Sequence, residues 1–349
     1  MSNRIIEEDL AAITNSNLAW SEFAGKTVLI SGANGFLPSY MVETLLYLNE
    51  NKLLRPVKVI GLVRNRERAE ARFAAHLDNA ALHLLVQDVC APVGVDGPVD
   101  YVIHAASQAS PKYYGLDPVG TLSANVLGTH HLLGLAKDKG ARGFLFFSSG
   151  EVYGQVDPTQ IPIAESTFGY VDPTDVRSCY AESKRLGETM CVSWAHQCHV
   201  PAKIVRPFHT YGPGMRLDDG RVFADFVADI LHHRHIVMKS DGAARRAFCY
   251  LSDAVRGFFT VLLTGQVGQA YNIGNDEGEL SVQELAQLLV DLFPEKQLKV
   301  IRYTGAQSPG YLPSKIARNC PDIAKARRLG WAPQVTVPDG FRRTIGSFA

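Results

Sequence analysis

The stretch from Thr27 to Val63 constrains the fold of this chain more than any other. A short apolar run, Thr27 to Ile30, precedes the turn sequence SGANG and an apolar-periodic segment that extends to Leu48. A second apolar run, Val57 to Val63, follows at the spacing of a strand-helix-strand unit. The pattern therefore predicts a strand, a tight turn, a helix and a second strand parallel to the first.

Glycines stand at the turn of this unit. Gly32 and Gly35 lie where the chain must turn sharply and where backbone amides at a helix N-terminus can approach a pyrophosphate. Pro38 stands where a third glycine is usual, and proline is tolerated in a first helical turn. The unit predicts a dinucleotide site, with NAD or NADP as the cofactor.

The end of the second predicted strand bears on which cofactor binds. The sequence GLVRN has no acidic residue there to accept hydrogen bonds from an adenosine ribose, and it carries Arg64 and Arg66 instead. Arginine commonly accommodates a 2′-phosphate, so the pattern favours NADP over NAD. The alternative interpretation is two surface arginines in the loop that begins a helix.

Further apolar runs alternate with helical patterns and predict an α/β fold with a doubly wound parallel sheet. The predicted strands are His83 to Val86, Tyr101 to His104, Gly143 to Ser148 and Lys203 to Val205. We expect an N-terminal helical extension at 1–24, a Rossmann domain at 25–207 to which 269–275 returns, and a smaller C-terminal α/β substrate domain at 208–268 and 276–349. Ligands of such sheets bind at the carboxyl ends of the strands.

A tyrosine and a lysine four residues apart indicate a chemical role. Tyr180 and Lys184, in the sequence VRSCYAESK, lie one turn apart if the segment is a helix. The ammonium could then stabilise the phenolate and lower its pKa, which would make Tyr180 a general base for a hydroxyl proton. A solvated helix with a chance tyrosine and lysine is the alternative.

Composition excludes several classes of function. The formal net charge is zero and the charges are interspersed, so the chain lacks the basic patch of a nucleic-acid binder. No run of 18 apolar residues occurs, and the N-terminus has no apolar targeting core. The six cysteines are scattered without metal-ligand spacing, so we expect reduced thiols, no metal site, no membrane partner and a cytoplasmic location.

Several motifs occur together in a fixed order: GANGF, FSSGEVYG, YAESK, RPFHTYGPG, RRAFCYLSDAV and AYNIGN. With them, from Gly25 onward, the chain resembles the extended short-chain dehydrogenase/reductases of the NAD-dependent epimerase/dehydratase family, which modify nucleotide sugars. Among these it is most similar to UDP-glucuronate decarboxylase-like members. The motif set is specific for the family and much less specific for the reaction.

The resemblance implies roles for individual residues. Tyr180 would be the base, Lys184 would orient the nicotinamide ribose, Ser149 would bind the reacting hydroxyl, and Glu151 completes the catalytic set. Implied cofactor contacts are Gly32, Asn34, Gly35, Phe36, Leu37, Arg64, Asp88, Val89, Ala105, Ala106, Ser107, Asn125, Ser148, Tyr180, Lys184 and Pro207. Implied nucleotide-sugar contacts are Ser107, Tyr114, Ser149, Gly150, Glu151, His209, Arg221, Arg246 and Arg318.

The reaction that follows hydride transfer at C4 depends on accessory groups. Sugar dehydratases of the family carry an Asp-Glu pair where this chain has Gly150 and Glu151, so the proton donor for eliminating water is missing. A decarboxylase does not need that acid, because a 4-keto-glucuronate is a β-keto acid that loses carbon dioxide readily. Against this reaction, Gly214 replaces the arginine of the decarboxylase GPRM motif, and an NADP preference is unusual for an enzyme that regenerates its own NAD.

Three alternatives to a UDP-glucuronate decarboxylase therefore stay open. An NADPH-dependent reductase of an NDP-4-keto-6-deoxyhexose comes second and a 4-epimerase third. An NADP-sensing protein is the non-enzymatic possibility, since fold does not fix function. The resemblance also implies a homodimer in which Pro118 to Ala136 and the Tyr180 helix form a four-helix bundle.

Overall fold

The structure, a computed structural model, describes residues 3–302 and 316–348. The strands are β1 (Thr27–Ser31), β2 (Lys58–Val63), β3 (Leu82–Val86), β4 (Tyr101–His104), β5 (Gly143–Phe147), β6 (Ala202–Pro207), β7 (Thr210–Tyr211), β8 (Ile236–Met238), β9 (Arg245–Ala247), β10 (Cys249–Tyr250), β11 (Ala270–Ile273), β12 (Glu279–Ser281), β13 (Val300–Arg302) and β14 (Arg318–Asn319). The helices are α1 (Arg4–Thr14), α2 (Phe36–Asn51), α3 (Arg66–Arg72), α4 (Lys112–Leu116), α5 (Pro118–Asp138), α6 (Ser178–Cys198), α7 (Val222–Leu231), α8 (Leu251–Thr264), α9 (Val282–Leu292), α10 (Ala324–Arg327) and α11 (Val337–Gly346).

Within the described residues, seven strands form one parallel sheet in the order β11-β6-β5-β4-β1-β2-β3. Its central strands β1, β4 and β5 are buried along their whole length because helices cover both faces. The predicted doubly wound parallel sheet is confirmed. The strand order reverses between β1 and β4, and this switch point is where such sheets bind ligands.

Residues after β6 build a smaller layer beside this sheet. There β9 pairs with β12 in antiparallel fashion and with β14 in parallel, while β8 pairs with β13. Strand β11 leaves this layer and pairs with β6 in the main sheet, from Ala270 opposite Ile204 to Ile273 opposite Pro207. The division into domains given above stays a prediction, and residues 303–315 of its second part lie outside the described residues.

The N-terminal helix α1 is tied into the body of the protein by a buried carboxylate. Asp9 accepts hydrogen bonds from Tyr250 Oη at 2.7 Å and from Tyr40 Oη at 3.1 Å. It also pairs with Arg343 of α11, whose Nη2 lies 2.8 Å from Oδ1. One side chain therefore connects α1, α2, β10 and α11.

Two further features concern the setting of the protein. In the part of the chain that the structure describes, no helix is long and apolar enough to cross a membrane. The six cysteines are free thiols, as the sequence predicts.

Candidate active site

The turn between β1 and α2 has the shape that a dinucleotide needs. Gly32 has a φ of +66°, and a Cβ there would lie 2.8 Å from the Cα of Ala106, so only glycine fits. Gly35 is the N-cap of α2 and has no side chain to occupy the amides of the first turn. Those amides, beside Asn34, Phe36 and Leu37, remain available to a pyrophosphate. The cradle fits the predicted cofactor.

The wall opposite this turn is held by a buried hydrogen-bond group. Ser31 Oγ accepts the amides of Ala105 and Ala106, each at 3.1 Å, so its own proton is left for His104 Nδ1 at 2.8 Å. Burial and the charge of Lys184 lower the pKa of His104 to about 3, so the ring is neutral. Next to it, Ser107 Oγ is buried without a hydrogen-bond partner among the described residues, which suits a ligand hydroxyl.

The adenosine end of the predicted site is open. Arg64 follows β2 and is exposed, and its charge helps to lower the pKa of Asp88, whose Oδ1 accepts the amide of Cys90 at 2.9 Å. Val89 is buried under the sheet edge. These positions agree with an adenine pocket.

Tyr180 lies near the start of α6, with 6% of its surface exposed. Its ring stacks on that of Tyr114, with centroids 4.9 Å apart and planes 16° apart. Burial raises the pKa of Tyr180 to about 12, while the neighbouring Ser149 hydroxyl and the charge of Arg221 lower it and the charge of Glu151 raises it. The contact of Ser149 with a substrate hydroxyl stays a prediction.

Lys184 lies one turn after Tyr180, as predicted, but its contacts differ from the expectation. Its Nζ donates to the carbonyl of Phe147 at 2.6 Å and lies 5.8 Å from the centroid of the Tyr180 ring. Burial lowers the pKa of Lys184 to about 7. The neighbouring charge that lowers the pKa of Tyr180 is that of Arg221. A lowering of this pKa by Lys184 stays a prediction.

Glu151 enters the same space from the 3₁₀ turn Gly150–Tyr153, which Ser149 caps by accepting the amide of Glu151 at 3.2 Å. Its Oε2 lies 3.2 Å from Nη1 of Arg177, the residue that precedes α6. The guanidinium of Arg177 also lies over the ring of Tyr114, 5.8 Å from its centroid. Arg177 is a site residue that sequence reasoning missed, although its position three residues before Tyr180 places it nearly one helical turn away.

Two glycines stand where the expected motifs carry other residues. A Cβ at Gly150 would lie 3.2 Å from Cε1 of Phe208, a tight contact with an aromatic ring. Gly214 has a φ of +78°, and a Cβ there would lie 3.0 Å from Nη1 of Arg72. Arg72 also donates to Ser39 of α2 at 2.8 Å.

His209 and two arginines were predicted to bind the substrate. His209 comes two residues after Pro207, the last residue of β6, and its Nδ1 is buried with no partner in the described ranges. Burial and the charges of Arg246 and Arg221 hold the pKa of His209 well below its usual value, so the ring is neutral. Arg221 donates to the carbonyl of Ala109 at 3.1 Å, and Arg246 donates to the carbonyl of Ile316 at 2.8 Å. A neutral imidazole among guanidinium groups is suited to an anionic diphosphate.

Four predicted contact residues have other partners in the structure. Tyr114 Oη donates to the carbonyl of Ala109, and its ring stacks on that of Tyr180. Asn125 is fully buried and donates to Ser183 of α6 at 2.9 Å, which joins two helices.

Ser148 donates to Glu188, which in turn pairs with Arg206 beneath the sheet edge. Arg318 makes a two-pronged ion pair with Glu279, at 2.6 and 2.9 Å, so its planar fork is already occupied by a carboxylate. Each of these residues thus has a contact within the chain, and its contact with a ligand stays a prediction.

Comparison with known proteins identifies the family. The family model described as NAD dependent epimerase/dehydratase matches residues 28–274. UDP-glucuronic acid decarboxylase 6 of Arabidopsis thaliana is 36% identical over 323 residues, covering 90% of this chain and 86% of that protein. UDP-glucuronic acid decarboxylase 1 of Danio rerio is 34% identical over 331 residues, covering 94% and 74%.

Solved structures have the same fold. The dTDP-glucose 4,6-dehydratase DesIV from Streptomyces venezuelae, with NAD and TYD bound, is 25% identical with a TM-score of 0.77, covering 92% of this chain and 96% of that chain. The UDP-glucuronic acid 4-epimerase from Bacillus cereus, in complex with UDP-glucuronic acid and NAD, is 23% identical with a TM-score of 0.77, covering 92% and 98%. The chain is therefore a member of the NAD dependent epimerase/dehydratase family.

Proposed function

We propose that this protein is a nucleotide-sugar enzyme that oxidises a sugar hydroxyl at C4 and decarboxylates UDP-glucuronate. The observation that carries the proposal is that Tyr180 lies near the Ser149 hydroxyl and the Glu151 carboxylate, with no acid at Gly150. Relatives named UDP-glucuronic acid decarboxylase, about a third identical over most of the chain, support the same reaction.

The residues of the site fit the steps of this reaction. Ser149 would hydrogen-bond the C4 hydroxyl, and the phenolate of Tyr180 would accept its proton. A bound nicotinamide would take the hydride from C4 and later return it. The product of oxidation is a β-keto acid, whose C5–C6 bond breaks as carbon dioxide leaves and its electron pair passes to C5. Water would supply the proton that C5 takes up, and Tyr180 would return its proton to O4 as the hydride returns to C4, so the cofactor is not consumed.

The cofactor is NAD or NADP. Gly32, the amides at the start of α2, and the unpartnered Ser107 hydroxyl would hold the pyrophosphate and a ribose. Arg64, exposed at the end of β2, supports a contribution to NADP binding. Replacing Arg64 with alanine should weaken NADP binding about tenfold and leave NAD binding unchanged if the arginine contacts a 2′-phosphate. Equal effects on both cofactors would exclude that contact.

The first test of function is to identify the nucleotide that purifies with the protein, by mass spectrometry, and then to add UDP-glucuronate alone. We expect release of carbon dioxide and formation of a UDP-pentose, followed by proton NMR. Tyr180→Phe should lower kcat by about 10³-fold while the cofactor stays bound. An unchanged rate in this variant would remove Tyr180 from the mechanism and would fit a sensor.

The second candidate is an NADPH-dependent reductase of an NDP-4-keto-sugar. Arg64 favours it, because a net reductase consumes NADPH whereas a decarboxylase recycles its own NAD. Incubation of the protein with NADPH and an NDP-4-keto-6-deoxyhexose distinguishes the two. Stoichiometric oxidation of NADPH together with inertness toward UDP-glucuronate would favour the reductase.

The enzyme is further proposed to be a cytoplasmic homodimer. Helices α5 and α6 pack together and expose apolar side chains at Val119, Leu122, Leu127, Leu186 and Val192. A second copy packed on this pair would cover those side chains in a four-helix bundle. Light scattering should give the mass of a dimer, and Leu127→Glu with Leu186→Glu should give a monomer. The free thiols favour a reducing compartment.

A further inference from the structure

Arg177 is a charged residue near Tyr180, the proposed base. None of the roles proposed above includes it. It precedes the first residue of α6 and donates from Nη1 to Oε2 of Glu151 at 3.2 Å. Both side chains are largely shielded from water, at 18% exposure for the arginine and 24% for the glutamate. Bulk solvent therefore screens this ion pair only in part.

The arginine also belongs to a layered stack. Its guanidinium lies 5.8 Å from the centroid of Tyr114, and the ring of Tyr114 stacks on that of Tyr180 at 4.9 Å. Arg177 is thus in contact with Tyr114 and with Glu151, and each of these two residues acts on Tyr180. Its Nε is buried without a partner among the described residues, which leaves the Glu151 contact as its anchor.

In this site the carboxylate of Glu151 lies near Tyr180, whose phenol must become an anion to act as a base. The charge of Glu151 opposes ionisation of both Tyr180 and Tyr114, while Arg177 favours ionisation of Tyr114 and Arg221 favours that of both phenols. A glutamate without a cation would make the phenolate of Tyr180 harder to form, since like charges repel at short range.

We propose that Arg177 is a positioning residue that orients Glu151 and balances its charge, so that a carboxylate and a proton-accepting phenol can stand side by side in the active site. The residue has this role only within the proposed function, in which Tyr180 is the base. Its effect reaches the reacting hydroxyl through Glu151, without a contact to the substrate.

Several charged and titratable groups besides Arg177 face Tyr180. Tyr114 packs on it from α4, Glu151 from the 3₁₀ turn, Arg221 from the start of α7, and Lys184 from its own helix. Replacing Arg177 leaves these four in place. Replacement of Arg177 therefore tests how the charge of Glu151 affects Tyr180 when Arg177 no longer balances that charge.

The test follows ionisation of Tyr180 directly. Protein labelled with ¹³C at the ζ carbon of tyrosine is titrated by NMR in complex with NAD, and the Tyr180 signal is the one absent from Tyr180→Phe. In Arg177→Met, which keeps an apolar chain over Tyr114, we expect less phenolate at each alkaline pH than in the wild type. In Arg177→Met/Glu151→Gln the titration should return toward the wild-type curve, and Arg177→Lys should be intermediate.

A kinetic measurement accompanies it. The rise of kcat with pH should move to higher pH in Arg177→Met, and a shift of one pH unit lowers the rate below the midpoint about tenfold. The KM for UDP-glucuronate should change little, because Arg177 does not bind the sugar. Arg234→Met is the control for loss of an arginine ion pair, since Arg234 pairs with Asp229 at 3.0 Å and lies outside the proposed catalytic set.

The outcomes separate this proposal from the proposed reaction. An unmoved Tyr180 titration in Arg177→Met, or an equal shift in Arg177→Met/Glu151→Gln, would overturn the role of Arg177. Absence of carbon dioxide release by the wild type would overturn the decarboxylase reaction alone, because the NMR titration needs no sugar substrate.

Discussion

The ring of Tyr114 lies parallel to the ring of Tyr180, with centroids 4.9 Å and planes 16° apart. Tyr114 is almost fully buried, and its hydroxyl donates to the carbonyl of Ala109 at 3.1 Å. Tyr114 thus packs against the proposed base, and its hydrogen bond holds it to the loop that follows β4.

This relationship predicts different effects for two variants of Tyr114. Tyr114→Phe keeps the stacked ring and loses one hydrogen bond, so it should cost about 1 kcal/mol of stability and change kcat little. Tyr114→Ala leaves a cavity under Tyr180 and should cost about 3–5 kcal/mol, with a marked fall in kcat. Urea unfolding and steady-state kinetics check both. Equal kcat values for the two variants would show that the ring of Tyr114 has no influence on Tyr180.

Gly150 gives a prediction about reaction specificity. Introducing the dehydratase acid as Gly150→Asp forces its Cβ against Phe208, at 3.2 Å, and overpacking of this kind costs about 1–3 kcal/mol. We therefore expect a destabilised protein that forms no 4-keto-6-deoxy sugar from a nucleotide hexose. Gly150→Ala is the control for the crowding alone. Appearance of the dehydrated product in NMR spectra would show that the missing acid alone excludes this reaction.

His209 links nucleotide-sugar binding to pH. Its pKa lies well below the usual value because it is buried beside Arg246 and Arg221. A diphosphate between the arginines would offset their charge and raise the histidine pKa, so binding takes up protons and affinity rises as pH falls. Titration calorimetry with UDP-glucose, whose diphosphate does not titrate near neutral pH, should show proton uptake in the wild type. His209→Asn should bind without it, and the same uptake in this variant would contradict the prediction.

His104 should make stability depend on pH. Its pKa is about 3 in the folded protein against 6.5 for the free side chain. Between these values the unfolded chain holds a proton that the native protein does not, so stability is present above the unfolded pKa and declines as pH falls. The decline approaches about 1.4 kcal/mol per pH unit for one such group. Urea unfolding at several pH values should show a shallower decline in His104→Asn than in the wild type.

Asp9 predicts that the N-terminal helix contributes to the stability of the whole chain. Arg343→Met removes the cation from a carboxylate that is 3% exposed and should cost about 3–5 kcal/mol. Adding Asp9→Asn to that variant should restore part of the loss, because the uncompensated charge disappears. Denaturant unfolding of the four proteins of this cycle measures the coupling. Strict additivity of the two single effects would show that the pair is not coupled.

Local sequence pattern determined the alternation of strands and helices, the glycine turn at Gly32 and the one-turn spacing of Tyr180 and Lys184. These features depend on backbone sterics and on residue periodicity, which act over a few residues. Because the carboxyl ends of parallel strands meet at one edge, the pattern of strands also predicted that ligands bind along that edge, where Ser107, Ser149 and His209 follow their strands. The resemblance to a family implied that these three residues contact ligands.

Only the tertiary structure decided which polar groups meet a partner within the chain. Asn125, Ser148 and Arg318 meet Ser183, Glu188 and Glu279, partners that lie 58, 40 and 39 positions away in the sequence. Arg177 reaches Glu151 across 26 positions in the same way. Hydrogen bonds and ion pairs act over a few ångströms in space, whereas a motif registers only neighbours along the chain. The sequence therefore determined which chemistry the chain carries, and packing decided which of its charged groups stand against one another.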